Sequence, residues 1–400
     1  MNVLIADKFE QSGIDALRTA GCDVLYLPDL KDAALVDAIR DSRAEVLVVR
    51  GTVVSAAALE AGALALVVRA GAGYNTIDGA AASRSGIYVS NCPGKNAIAV
   101  AELTFALILA IDRRVPENVA ELRAGRWNKK EFSKARGLFG RTLGLIGYGN
   151  IGAEVARRAQ AFGMPVIVWS RRFNAAAMDP ALPFRIAETP QQLAADADVV
   201  SVHLALTKET RGFVDASILE RMRPGSYFIN TARAEVVDDS ALQRAAREGG
   251  IRIGLDVHAG EPGSATAEYS HPLLALPHVY GTHHIGGSTD QAQDAIADET
   301  VRVITSYMRT GRVPNVVNLA AKTPATHRLI VRHRDRPGVL AHVFDLLKSG
   351  RINVQETDNV IFEGAEAAVA RISVDGPPSD SLLAAIRGHQ DILDVHVVTI

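Results

Sequence analysis

Short runs of aliphatic and β-branched residues alternate with Ala-rich stretches whose apolar positions recur every three or four residues. The alternation predicts strands joined by helices, and hence mainly parallel sheets covered on both faces. A first series places strands at Val3–Ala6, Val24–Leu27, Glu45–Val49, Leu66–Val68 and Tyr88–Ser90, with helices such as Ser12–Ala20 and Ala33–Asp41 between them. A second opens near Ile98 with an apolar, expectedly buried helix, Ala101–Ile111. Strand Thr142–Ile146, a glycine loop, helix Ala153–Phe162 and strand Val166–Trp169 follow. Further strands are expected at Val199–His203, Tyr227–Asn230, Ile253–Asp256 and Val279–Thr282, then a helix over 290–309.

The character then changes. Two prolines and small polar residues in TGRVPNVVNLAAKTPATH (310–327) mark a linker, placed at 317–326. Beyond it the pattern reads strand Leu329–Arg332, helix Gly338–Ser349, strands Ile352–Glu356 and Ala368–Val374, helix Ser379–Gly388 and strand Leu393–Val398, the βαββαβ order of ferredoxin-like units. The expected fold class is α/β: two doubly wound parallel-sheet domains, Rossmann-like or flavodoxin-like, at 1–96 and 97–289, with a smaller ferredoxin-like domain at 327–400.

Composition narrows the function classes. A formal charge of −2 offers no basic field for nucleic acid or anionic lipid. Two cysteines, Cys22 and Cys92, exclude a disulfide framework and paired-cysteine zinc sites. The start MNVLIADKFE reads as a first strand, not a signal peptide, and the apolar runs fall short of a span of roughly 20 residues. A soluble cytoplasmic protein without a membrane partner is expected.

The chemistry begins at Gly147-Tyr148-Gly149-Asn150-Ile151-Gly152, a GxGxxG that follows a strand and opens an amphipathic helix. Gly147 allows the tight turn, Gly149 lets a pyrophosphate approach the backbone, and Gly152 lets helix pack on strand. Dinucleotide sites commonly hold an acidic residue at the end of the next strand for the ribose 2′-OH. Here Ser170 stands there, followed by Arg171 and Arg172, whose guanidiniums suit a 2′-phosphate. NAD or NADP is expected, with NADP accepted.

Three residues downstream form a catalytic toolkit: Arg233 in NTARAEVVD, Glu261 in GLDVHAGEP and His284 in YGTHHIGGST, each where a strand would end. Arg pairs with a carboxylate in fork geometry and polarises the neighbouring carbonyl. An imidazole exchanges a hydroxyl proton near neutral pH, and a carboxylate on its other nitrogen fixes the tautomer. Arg50 and Arg69 at strand ends of the first domain are candidate substrate cations, with Lys95 a weaker third. The glycines around Ala72 and Gly73 would expose backbone N–H groups to a carboxylate.

GYGNIG, NTARAEVVD, DVHAGEP and HHIGGST, in this order, resemble the D-isomer-specific 2-hydroxyacid dehydrogenases over about residues 45–320. The resemblance implies Arg233, Glu261 and His284 as the catalytic set and Asp256 at the nicotinamide end. It places Asn150, Ile151, Leu204, Thr231 and Gly287 along the cofactor. It also implies that residues 290–316 complete the first domain and that substrate lies between the two doubly wound domains. The family usually has Pro before the catalytic His; His283 stands there, and the Gly286–Thr289 run favours His284 over it.

Within the family the chain is most similar to the branch that oxidises 3-phospho-D-glycerate. HRDRPGVL (333–340) and INVQETD (352–358) resemble an ACT domain, an amino-acid-sensing module. This implies an effector site at His333, Asp335 and Asn353, and a homodimer or homotetramer. The competing expectations are a glyoxylate or hydroxypyruvate reductase, which Ser170–Arg172 suits better, and a dinucleotide-sensing corepressor-like protein. Formate oxidation, which needs no proton relay, is disfavoured by Glu261.

Overall fold

The computed structural model describes residues 1–173, 182–263 and 266–400. The chain forms two compact units, Met1–Asn318 and Leu319–Ile400. The first contains two parallel sheets. One comprises β1 (Asn2–Ile5), β2 (Asp23–Tyr26), β3 (Val46–Val49), β4 (Leu66–Arg69) and β5 (Tyr88–Asn91), in the order β2-β1-β3-β4-β5. Every strand is four residues long, and side chains alternate strictly between two cores. Val3, Ile5, Val46, Val48, Leu66 and Val68 face one side; Leu4, Leu47, Val49 and Val67 face the other. Burial on both faces explains why these strands read as continuous apolar runs.

The second sheet comprises β6 (Leu143–Ile146), β7 (Val166–Trp169), β8 (Arg185–Ile186), β9 (Val199–Val202), β10 (Tyr227–Asn230), β11 (Arg252–Leu255) and β12 (Val279–Gly281). Its order, β12-β11-β10-β9-β6-β7-β8, reverses direction between β6 and β9. The buried helix is longer than expected, Ala97–Arg113, and Asp112 near its end is satisfied inside. The Tyr227 hydroxyl donates to Asp112 at 2.9 Å, and the Arg141 guanidinium pairs with it at 3.4 Å.

The helix after residue 289, Asp290–Thr310, inserts Ile296, Val303 and Ile304 into the core of the first sheet. Chain continuity with that sheet runs past 316. Val317 donates its N–H to Val89, and Asn318 accepts from Val89 and donates to Ile87, so the first unit closes at Asn318 and the expected linker starts two residues too early. Sequence reading also overlooked β8 and the helices Val115–Arg123, Pro190–Asp196 and Asp239–Glu248. Among the described residues no helix is long and apolar enough to cross a membrane.

The second unit runs β13 (His327–Arg334), helix Val339–Ser349, β14 (Val354–Ile361), β15 (Ala367–Val374), helix Asp380–Arg387 and β16 (Ile392–Thr399). The sheet is antiparallel with order β14-β15-β13-β16. β14 is an edge strand, exposed along most of its length, which is why its extent exceeds the Ile352–Glu356 expectation. Without a buried face it has no apolar alternation to read.

Candidate active site

In open parallel sheets ligands bind beyond the carboxyl ends of the strands, where the order reverses. In the second sheet that point lies between β6 and β9. Gly147 follows β6 with φ +101°, and a Cβ there would lie 2.5 Å from the His203 carbonyl oxygen. Gly152 sits one turn into helix Asn150–Ala161, where a Cβ would lie 2.7 Å from the Gly147 oxygen. That helix has no side-chain cap, so its first N–H groups remain available to a phosphate. Gly147→Ala is expected to abolish dinucleotide binding by calorimetry. It should also lower stability by about 2 kcal/mol, since an L-residue is strained at this φ.

The cavity beside this loop holds about 230 Å³ and is lined by Gly147, Tyr148, Gly149, Trp169, Ser170, Arg171, Arg172, His203, Leu204, Glu209 and Phe213 among others. The Trp169 and Phe213 rings stack at 4.9 Å, a flat apolar wall suited to a base. Burial pushes the His203 imidazole down to about 3, so it stays neutral. Its Nε2 shares a hydrogen bond of 2.9 Å with the Ser201 hydroxyl. These residues fit a dinucleotide.

Glu209 corrects the sequence reading, which found no carboxylate for this pocket. It comes from the loop after β9 instead of the end of β7. Its carboxyl is held below the usual range by the Thr207 hydroxyl first, with Arg171 among the lesser causes. Other expected cofactor residues lie outside the cavity lining. Thr231 is buried, its hydroxyl 3.0 Å from that of Thr104. Ile151 packs against the core between helix and sheet. Gly287 lies against Asn96, whose buried Oδ1 has no partner.

Asp256, 1% exposed, is a loop anchor. Its Oδ1 accepts from the Thr282 hydroxyl (2.6 Å) and the Ile285 N–H (2.9 Å), and its Oδ2 accepts from the Gly286 N–H (2.8 Å). Between these anchors His284 is held at φ +53°, a left-handed conformation unusual for a non-glycine residue. Its Nδ1–H donates to Glu261 Oε2 at 2.7 Å, which leaves Nε2 to exchange a proton. Glu261 Oε1 accepts from the His258 N–H at 2.6 Å. Burial would raise the Glu261 carboxyl, but the bonds from His284 and His258 outweigh it and hold the group below the usual carboxylate range. His283 is exposed and takes no part in this pair.

A second cluster is cationic. Arg69 ends β4 and folds back across Gly71, while the Arg233 guanidinium lies directly against Gly73; a side chain at either glycine would collide with it. Gly71 adopts φ +142°. Burial, then Arg233, then Arg50 push the Arg69 guanidinium down to about 10. Among the described residues its Nε is enclosed with no partner, and Arg233 Nη1 donates to the adjacent Ala232 carbonyl. The nearby Asp7 spends both oxygens on the Arg50, Gly51 and Thr52 N–H groups and the Thr52 hydroxyl. The Ala72 carbonyl accepts from Asn91. Lys95 does not join the cluster: Glu299, 3.3 Å away, neutralises it. Among the described residues none of the three guanidiniums forms an ion pair, and Asp7 is the carboxylate that acts on Arg69, so the cluster keeps a net positive charge that an anion could offset.

In the second unit the effector expectation needs revision. His333 is 2% exposed and belongs to the core face of β13. Its Nδ1–H donates to the Arg334 carbonyl at 2.8 Å, and Nε2 lies 3.1 Å from the Asn359 amide. Asp335 is exposed, and Asn353 lines an open groove with Phe344, Lys348 and Arg351.

Comparison with known proteins agrees with this geometry. Residues 105–286 match the family model described as D-isomer specific 2-hydroxyacid dehydrogenase, NAD binding domain. The chain is 37% identical over 330 residues to a D-3-phosphoglycerate dehydrogenase of Methanocaldococcus jannaschii, covering 80% of this chain and 60% of that protein. It therefore spans about three fifths of the curated phosphoglycerate dehydrogenases it resembles. It is 40% identical over 263 residues to a hydroxypyruvate reductase of Thermotoga maritima, covering 65% of this chain and 83% of the relative. A solved structure from Thermus thermophilus superposes with a TM-score of 0.70 at 33% identity, covering 79% of this chain and all of the other. The motifs, the strand order and these similarities place the chain in the D-isomer specific 2-hydroxyacid dehydrogenase family.

Proposed function

We propose that this protein interconverts a D-2-hydroxy acid and its 2-keto acid with NAD or NADP, and that its substrate is 3-phospho-D-glycerate, oxidised to 3-phosphohydroxypyruvate. The observation that carries the reading is the Glu261–His284 hydrogen bond in a unit that also gathers Arg50, Arg69 and Arg233, which form no ion pair among the described residues. Arg233 holds the substrate carboxylate. His284 Nε2 takes the hydroxyl proton as the C2–H bond yields its hydride, and Glu261 stabilises the imidazolium that forms. The nicotinamide, when bound, supplies the hydride acceptor. Arg50 and Arg69 take the phosphate, which a monoanionic hydroxy acid lacks.

A second reading, a glyoxylate or hydroxypyruvate reductase, is favoured by Ser170, Arg171 and Arg172 lining the cofactor cavity. Turnover of phosphohydroxypyruvate, hydroxypyruvate and glyoxylate with NADH and NADPH decides between them. Far better reduction of the unphosphorylated acids would overturn the first. A protein inactive on all three that still binds dinucleotide would instead support a sensing role of the corepressor kind.

The double variant Arg171→Ala/Arg172→Ala is expected to weaken NADPH binding about tenfold or more, at least ~1.4 kcal/mol, while NADH binding changes little. Glu209 remains to accept from a ribose 2′-OH. Equal losses for both cofactors would show that the arginines do not read the 2′-phosphate. For the second unit we propose an ACT-like regulatory role, with an amino acid bound near Asp335 and Asn353 in a cytoplasmic homodimer or homotetramer. Inhibition of turnover by added serine tests it.

A further inference from the structure

The Glu261–His284 pair comes from two separate loops, and its members stay part-exposed, with side chains 30% and 45% accessible. One hydrogen bond does not align two such loops. Among the described residues, His258 touches both.

Its backbone N–H grips Glu261 directly, at 2.6 Å from Oε1. Its ring Nε2–H donates to the Thr282 carbonyl at 2.8 Å, two residues before His284. A carbonyl only accepts, so the ring hydrogen sits on Nε2 and Nδ1 is the bare nitrogen. That Nδ1 is enclosed and unpartnered. The Tyr269 ring packs 5.9 Å from the imidazole, and the Tyr269 hydroxyl closes the turn by donating to the Ala259 carbonyl at 2.7 Å. Segment 282–286 thus hangs on two side chains of one loop: Asp256 holds its ends, and His258 holds the carbonyl on the approach to His284. Thr282, His283 and His284 include no proline to fix φ, yet His284 sits at +53°. Strain of this kind persists only where the surroundings over-determine it.

We infer that His258 is a positioning residue for the proton relay, setting the orientation of His284 through the Thr282 carbonyl while holding Glu261 through its own amide. The inference rests on the reaction proposed above. An imidazole displaced by a fraction of an ångström still binds substrate poorly or well as before, but it transfers the proton more slowly.

The test compares the wild type with H258F and H258Q, using whichever of the three keto acids the wild type reduces best. H258F keeps an aromatic ring and the backbone N–H but loses the ring donor; H258Q restores an N–H donor. Expected is a kcat about tenfold lower in H258F, with KM and the NADPH dissociation constant nearly unchanged, and recovery of most of that loss in H258Q. Wild-type kcat in H258F would overturn the inference. So would equal loss in both variants, whether or not melting temperature and NADPH affinity fall with it, since His258 would then be packing alone. A wild type inactive on all three acids would instead remove the reaction itself, a result distinct from parity of H258F with an active enzyme.

Discussion

His284→Ala is expected to lower kcat/KM by on the order of 10²- to 10⁴-fold while dinucleotide affinity stays at the wild-type value. The size follows from what is removed: the group that takes the hydroxyl proton as hydride leaves, a role water fills poorly. The selectivity follows from place, since the cofactor cavity is lined by residues of the β6, β7 and β9 ends and not by His284. Glu261→Gln should cost less and leave a signature in pH. The amide still accepts from His284 Nδ1–H but no longer stabilises an imidazolium, so the extra loss of rate that the wild type shows as Glu261 protonates at acid pH is absent from the variant. The carboxylate itself is present across the working range. Its folded pKa lies below the unfolded value of about 4.3, so its contribution is complete above that value and is lost only as pH falls through the depressed one. A His284→Ala enzyme with wild-type turnover would dismiss the relay, and attention would pass to His283.

Much of this was legible in the chain. Buried parallel strands announce themselves as short apolar runs, and β3, β7 and β10 fall within a residue of their expected places. The Glu261–His284 pairing was legible because both residues fall in motifs that resemble the family's, even with Asp256, His258 and His283 beside them. What sequence spacing cannot give is convergence between distant segments. Glu209 was missed because its carboxylate reaches the cavity from the loop after β9, a position that depends on strand order. Lys95 was misread because Glu299, some two hundred residues away, meets it only in the fold. His258 carries no signal in the sequence, since nothing local links it to the Thr282 carbonyl. His333 erred the other way: in strand alternation it follows Leu329 and Val331 into the core.

Arg69→Met is expected to raise KM for phosphohydroxypyruvate on the order of a hundredfold, with a much smaller effect on glyoxylate. It should also raise the melting temperature of the ligand-free protein by a few degrees. Both follow from one observation: burial, with Arg233 and Arg50 behind it, lowers the Arg69 guanidinium to about 10. The sign is that of a base whose folded pKa lies below its unfolded one. Its charged form is less favourable in the fold than in the unfolded chain, so the group destabilises at all pH below about 10 and ceases to do so as pH approaches the unfolded value. At neutral pH the cation is nonetheless present, and a bound dianion relieves the repulsion among the three guanidiniums. Inorganic phosphate should therefore raise the melting temperature of the wild type and do so less in Arg69→Met. Affinity for the phosphorylated acid should fall as pH rises through about 10. If Arg69→Met instead melts lower, ignores phosphate as the wild type does, and keeps its KM for phosphohydroxypyruvate, the cluster is not the phosphate site. The choice among hydroxy acids then reopens in favour of the smaller substrates.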